Sequence, residues 1–158
     1  MKTLTPHPVD TPDAKFTSVF HVAEQEVDTL ARTIWGEARG EGSAGMQAVA
    51  AVILNRVAIA QEKGGYWWGA NVIAVCRKPW QFSCWNGNDP NRPKLLAVDA
   101  RDLHFATALR IARRAIYSTL PDPTAGATHY HAAGITPSWA RGSPPCAMIG
   151  RHVFYRLP

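Results

Sequence analysis

Glu37 and Glu41 stand four residues apart in the stretch LARTIWGEARGEGSAGMQAVAAVILNRV, residues 30 to 57, and are two of only five glutamates in a chain of 158 residues. Apolar residues recur at helical spacing on both sides of them, so the pair falls at the join of two buried helices. A carboxylate in the last turn of a helix opposes the macrodipole, which disfavours Glu37 where it stands unless its charge or its proton is used. Packed between Trp35 and the apolar faces of two helices, its carboxyl would lose solvation, which favours the protonated form that a general acid needs. The competing reading is an ordinary ion pair with Arg39 or Arg56. Glu41 suits the turn itself, bonding backbone amides or Arg39, and catalysis is its secondary role.

The elements that must hold these acids follow from periodicity. Val27, Leu30, Ala31, Ile34, Trp35 and Ala38 mark one face of a helix over about residues 24 to 39. Gly40 and Gly42 break it, Ser43 can cap the next start, and Met46, Val49, Ala50, Ile53, Leu54 and Val57 give a second stripe to about residue 61. Residues 63 to 94 are rich in Gly, Pro, Asn and aromatics without a sustained period, which predicts a long irregular segment with room for one short strand. A third helix over about Asp99 to Leu120 follows from Leu103, Ala106, Leu109, Ile111, Ala112 and Ile116. The segments ATHYHA and RHVFYRL alternate and predict a small hairpin or ribbon. Residues 1 to 18 mix Pro, Thr and Asp without periodicity, so an extended arm is expected there and one domain over 19 to 158.

Seventeen basic against twelve acidic residues leave a formal charge of +5, which favours an anionic partner such as nucleic acid, lipid headgroups, lipopolysaccharide or an acidic wall polymer. The densest basic cluster, Arg110 to Arg114, lies in an amphipathic run without interleaved aromatics, so specific nucleic-acid binding has no support. No window approaches the ~20 apolar residues of a membrane span, and the first residues lack the apolar core of a signal peptide. A monomer without a transmembrane segment, cytoplasmic until release, is the expectation. Cys76, Cys84 and Cys146 form an odd set without C-x-x-C, which argues for buried reduced thiols, although a Cys76–Cys84 bridge would close a short loop in an oxidising compartment. His129 and His131 share a strand face and could meet Cys84, Cys146 or His152 around zinc, but a lone H-x-H is weak as a metal motif. No metal or cofactor is expected.

ARTIWGEARGE followed by GMQAVAAVILNRV closely resembles the opening motif of the SleB/CwlJ-type cell wall hydrolases, the spore cortex-lytic enzyme family. VIAVCRKPWQFSCW resembles that family's mid-domain segment and GATHYHAAGITPSWARGSPPCAMIGRHVFYR its closing one, so the resemblance covers about residues 24 to 156. It implies an α+β, mainly α, lysozyme-like domain that acts on the N-acetylmuramic acid to N-acetylglucosamine backbone of peptidoglycan, with Glu37 at the position of the catalytic acid. Many members are lytic transglycosylases, in which one carboxyl serves as acid and then as base. A two-carboxylate glycosidase needs its groups ~5 to 10 Å apart across the bond, and Glu41 shares the loop with Glu37 rather than an opposing wall. Asp89 is the only aspartate in the aromatic loop; facing Glu37 it would make the enzyme a hydrolase, although NGNDPNRP reads more simply as a turn.

With sugar rings as substrate, Trp67, Trp68, Trp80, Phe82 and Trp85 offer flat faces, and Gln81, Ser83 and Asn86 offer neutral hydrogen-bonding groups. At least two of the tryptophans belong to the core. Gln81, Phe82, Ser83 and Trp85 are expected to line the cleft, with Tyr130 and His131 opposite. The Tyr130 segment resembles the Tyr-Asn-Ala-Gly segment of other transglycosylases, with His131 in place of the asparagine. An endolysin-like role is expected, with the basic surface held against anionic envelope polymers. A zinc amidase or peptidase cutting the peptide stems, and a non-catalytic basic wall- or nucleic-acid-binding module, are the rival readings.

Overall fold

The computed structural model describes residues 14–158. Helix α1 spans Ala14–Ala38 and buries Val27, Leu30, Ala31, Thr33, Ile34, Trp35 and Ala38, the expected stripe with Thr33 added. It starts ten residues earlier than periodicity indicated. Residues 14 to 18, expected in an extended arm, are helical, while residues 1 to 13 of that arm lie outside the described residues. Tertiary contacts override the weak pattern: Glu24 accepts hydrogen bonds from Arg113 at 2.9 Å and from the Tyr117 hydroxyl at 2.7 Å, and Phe20 lies 6.4 Å from the Tyr117 ring.

A single 3-10 turn, Arg39–Glu41, carries the chain directly into α2, Gly42–Glu62. Ser43 sits inside the first turn of α2 rather than capping it, and Glu41 occupies the position before the helix without a side-chain cap bond. Helix α2 is apolar nearly all round because neighbours cover it on several sides; Met46, Val49 and Ile53 join the main core while Ala48 and Val52 join a second cluster. The α1–α2 run therefore holds one window long and apolar enough to cross a membrane, contrary to the expectation from sequence, yet just over half of that window is buried within the fold. Its apolarity is accounted for by core packing.

The segment expected to be irregular contains two short helices and no strand, α3 at Val72–Arg77 and α4 at Arg92–Ala97. Six residues are too few to display a period. Asn71 starts α3 by accepting from the Ala74 amide at 2.8 Å. Arg32 ties α4 to α1 by donating to the carbonyls of Leu95 at 2.7 Å and Val98 at 3.0 Å. Helix α5, Leu103–Tyr117, lies inside the expected range and starts at Asp102, whose Oδ1 accepts from the Phe105 amide and from Trp35 Nε1.

The closing segment forms three strands rather than a two-stranded ribbon: β1 at His129–Ala132, β2 at Ala147–Ile149 and β3 at His152–Tyr155, antiparallel in the order β1-β3-β2. Tyr130 pairs with Phe154, and Ala147 pairs with Phe154 on the other side. Phe154 is fully buried against Ala48, Val52 and Ala127, which clamps the sheet to α2. Truncating such a residue to alanine costs about 3–5 kcal/mol. Asn55 and Arg56 complete the clamp by donating to the carbonyls of Ala127 at 2.9 Å and Thr128 at 2.7 Å. The sheet therefore places β1 over the C-terminal end of α1.

Candidate active site

Glu37 lies in the last turn of α1, as its sequence position predicts. The residue before it must be glycine: a Cβ on Gly36 would stand 2.8 Å from the Cβ of Cys84, so α1 and the 3-10 turn Ser83–Trp85 touch there. Tyr130, from β1, donates its hydroxyl proton to Glu37 Oε2 at 2.9 Å. Oε1 is buried and has no hydrogen-bond partner among the described residues. None of the ion pairs among them includes Glu37. Arg39 instead lays its guanidinium over the Trp35 ring at 4.1 Å.

Two cavities meet at Glu37. One, of about 240 Å³, is walled by Trp35, Arg39, Ser83, Asp89 and Asn91; the other, of about 290 Å³, by Gln81, Phe82, Ser83, Tyr130 and Trp139. A third cavity of about 480 Å³ continues past Trp80, Gln81 and Trp139 to Trp67 and Lys78. The carboxyl thus sits partway along a groove rather than in a closed pocket. Trp80 is 77% exposed and holds φ at 66°, a left-handed conformation that costs a bulky residue on the order of 1–3 kcal/mol and is concentrated at functional sites.

Gln81, Phe82, Ser83 and Tyr130 all line the Glu37 cavity. Gln81 also braces the loop, its Nε2 donating to the carbonyls of Trp68 and Val75. Trp85 does not join them. Its Nε1 donates to Thr33 Oγ1 at 2.9 Å, Arg77 covers its ring at 4.9 Å, and it lines a separate cavity with Trp80 and Asn86. A 3-10 turn sends side chains two positions apart in different directions, so Ser83 and Trp85 face different spaces. His131 is also absent from the walls around Glu37; its Nε2 lies 3.0 Å from the Tyr155 hydroxyl, and its ring stacks on Tyr155. His129 takes the lining position, beside Trp139. Burial and the nearby Arg56 cation push the His129 imidazole down to about 4, so it is neutral at neutral pH.

Trp80 is one of the aromatic candidates of the sequence, but no periodicity distinguishes it from Trp35 and Trp68, which are core residues; Trp139 is not among those candidates. Glu41 serves the turn as expected, with a different partner. It accepts from the Arg151 amide at 3.0 Å and Arg151 Nε at 2.9 Å, which holds its carboxyl below the usual glutamate range. A side chain on Gly150 would collide with Glu41, and φ there is +57°. All three cysteines are free. Burial raises the Cys76 thiol to about 12, and burial together with the Glu37 charge raises that of Cys84. Among the described residues no three His, Cys, Asp or Glu side chains come together as metal ligands.

A mainly helical core, a small antiparallel sheet and a groove with a carboxyl at the end of a core helix define a lysozyme-like domain. The chain belongs to the cell wall hydrolase family, whose model matches residues 40–155. It is 32% identical over 135 residues to a spore cortex-lytic enzyme of Halalkalibacterium halodurans and 29% identical over 135 residues to one of Bacillus cereus. Each match covers 84% of this chain, which spans 35% and 44% of those relatives. Among solved structures, the catalytic domain of the Bacillus cereus SleB protein superposes with a TM-score of 0.63 at 28% identity, over 84% of this chain and 91% of that one. The catalytic domain of the germination-specific lytic transglycosylase SleB from Bacillus anthracis gives 0.62 at 29% identity, over 83% and 93%.

Proposed function

We propose that this domain cleaves the glycan backbone of peptidoglycan between N-acetylmuramic acid and N-acetylglucosamine as a lytic transglycosylase, with Glu37 as the acid and then the base. The observation that carries the reading is the position of Glu37 where two cavities meet, with one oxygen held by Tyr130 and the other buried without a partner. The likeness to the catalytic domain of a lytic transglycosylase supports the choice of reaction. Protonated Glu37 gives its proton to the glycosidic oxygen as the bond to the muramoyl C1 breaks. The carboxylate so formed takes the proton of the muramoyl 6-hydroxyl as that oxygen closes on C1. The products are a new glycan end and a 1,6-anhydro ring, no water is consumed, and Glu37 is again protonated. The formal charge of +5 supports retention of the domain on anionic envelope polymers between cuts.

A second reading rests on Asp89, which shares the 240 Å³ cavity with Glu37. Its Oδ1 accepts from the Asn91 amide at 2.8 Å, the expected turn bond. In this reading Asp89 activates a water or attacks C1, and the enzyme is a hydrolase. Mass spectrometry of digested peptidoglycan, before and after borohydride reduction, separates the two. Anhydro ends are lighter by one water and resist reduction; uniformly reducible muramic acid ends would select hydrolysis, and cut stems on intact glycan would reject both.

A further inference from the structure

Arg56 is the most deeply buried cation in the described molecule, 8% exposed on α2. A buried guanidinium is stabilised only when its donors and its charge are met. Nε donates to the Thr128 carbonyl at 2.7 Å, and the rings of Trp68 and Phe82 lie within 5.4 and 5.7 Å of Cζ. Nη1 has no hydrogen-bond partner among the described residues, and no ion pair among them includes Arg56. Arg56 nonetheless lines both the 290 Å³ cavity at Glu37 and the 480 Å³ cavity beyond it. Lys78 lines the outer cavity as well, no carboxylate among the described residues does, and His129, which also lines it, is neutral. The groove leading away from the acid therefore carries positive charge without a counter-charge of its own.

Peptidoglycan differs from an uncharged N-acetylglucosamine polymer by the lactyl arm on its muramoyl residues. That arm ends in a carboxylate, or is extended by a peptide stem that carries carboxylates. Resting on the peptidoglycan reading above, we propose that Arg56, assisted by Lys78, is a carboxylate-recognition site that takes the acid group borne by the muramoyl arm in the groove beside Trp80 and Trp139. The planar fork of Arg56 supplies directed donors that match a carboxylate, and its surroundings hold that fork in place. The site selects muramoyl glycan over glycan that lacks the arm.

The test measures kcat/KM of the full chain on four soluble oligomers: stem-free glycan with free lactyl carboxylates, the same glycan methyl-esterified, stem-bearing glycan, and its methyl ester. Wild-type protein is expected to prefer acid to ester by ~10-fold or more, chiefly through KM, the scale of a charge-assisted hydrogen bond. Preference confined to the first pair assigns the lactyl carboxylate, and preference confined to the second assigns a stem carboxylate. Arg56→Gln should bring the preferred ratio close to one, and Arg56→Lys should leave it in between. Equal wild-type rates on acid and ester in both pairs would overturn the proposal. An Arg56→Gln variant that keeps the wild-type acid-to-ester ratio, whatever its absolute rate, would overturn it too, since a merely structural role of Arg56 acts on both substrates alike. No glycan cleavage by wild-type protein would instead overturn the peptidoglycan reading beneath it.

Discussion

Tyr130 and Glu37 are 93 positions apart in the chain, and a 2.9 Å hydrogen bond from the Tyr130 hydroxyl joins them in the groove. Tyr130→Phe removes that donor and keeps the ring that packs against Phe154. Leaving a part-buried carboxylate oxygen without its donor costs on the order of 1–3 kcal/mol. The expected outcome is a folded protein with a glycan-cleavage kcat lowered roughly tenfold or more. Unchanged kcat would mean that the bond only fastens β1 to α1.

Glu37→Gln removes the transferable proton while keeping the shape of the side chain. Its lytic rate should fall by at least ~10², the scale of a lost general acid. Turbidity of a peptidoglycan suspension measures this, with pelleting assays to show that binding persists. Glu41→Gln should fall less, because Glu41 is engaged by Arg151. The reverse ranking would move the acid to Glu41.

The Glu41–Arg151 contact predicts a pH signature in stability rather than in rate. The folded state holds the Glu41 carboxyl below its ordinary 4.5. The contribution is therefore complete above the unfolded value and is lost as pH falls below about 4.5 towards the folded value. Thermal melts should show wild type ahead of Glu41→Gln at pH 6, with the gap closing in acid. A gap that stays constant down to pH 3 would rule out an ionised Glu41 as the fastener.

His129 has a separate window. Its folded value is about 4 against an ordinary 6.5, so between these limits the unfolded chain takes up a proton that the native chain refuses. Stability is complete above pH 6.5 and declines as pH falls towards 4. His129→Gln should flatten that part of the curve relative to wild type. An imidazole NMR titration with its midpoint near 6.5 would contradict the buried, neutral state.

Cys76 and Cys84 are buried thiols whose ionisation is suppressed. Native protein treated with iodoacetamide should be modified at Cys146 well before either of them, and all three should react once unfolded. Peptide mapping checks the order. Rapid native labelling of Cys84 would show that the α1 contact at Gly36 opens in solution.

The α1–turn–α2 arrangement is legible because each helix is long enough to repeat its apolar stripe several times, and Glu37 stands out as a candidate because its charge opposes a helix dipole. Tyr130 was legible from its motif. Trp85 was misplaced because the strong cue, an aromatic in a loop rich in turn residues, says nothing about direction, and a single 3-10 turn decided it. His129 and His131 share an alternation pattern, so only the packing of Trp139 and Tyr155 told them apart. Arg56 enters the sequence reading only beside Arg39, in the competing ion-pair account of Glu37; its place on α2 gives no hint that it borders the groove.

In the sheet order β1-β3-β2, the strand at residues 152 to 155 is the only one that pairs with both others. The helical hairpin of α1 and α2 closes over a three-residue turn and costs little loop entropy, whereas β1 can dock only after β3 has been synthesised. The Tyr130–Glu37 bond therefore rests on a strand more than twenty residues further along the chain. Without residues 152 to 155 the helices keep their own contacts but β1 has no partner strand, so the groove at Glu37 depends on a strand that lines none of it.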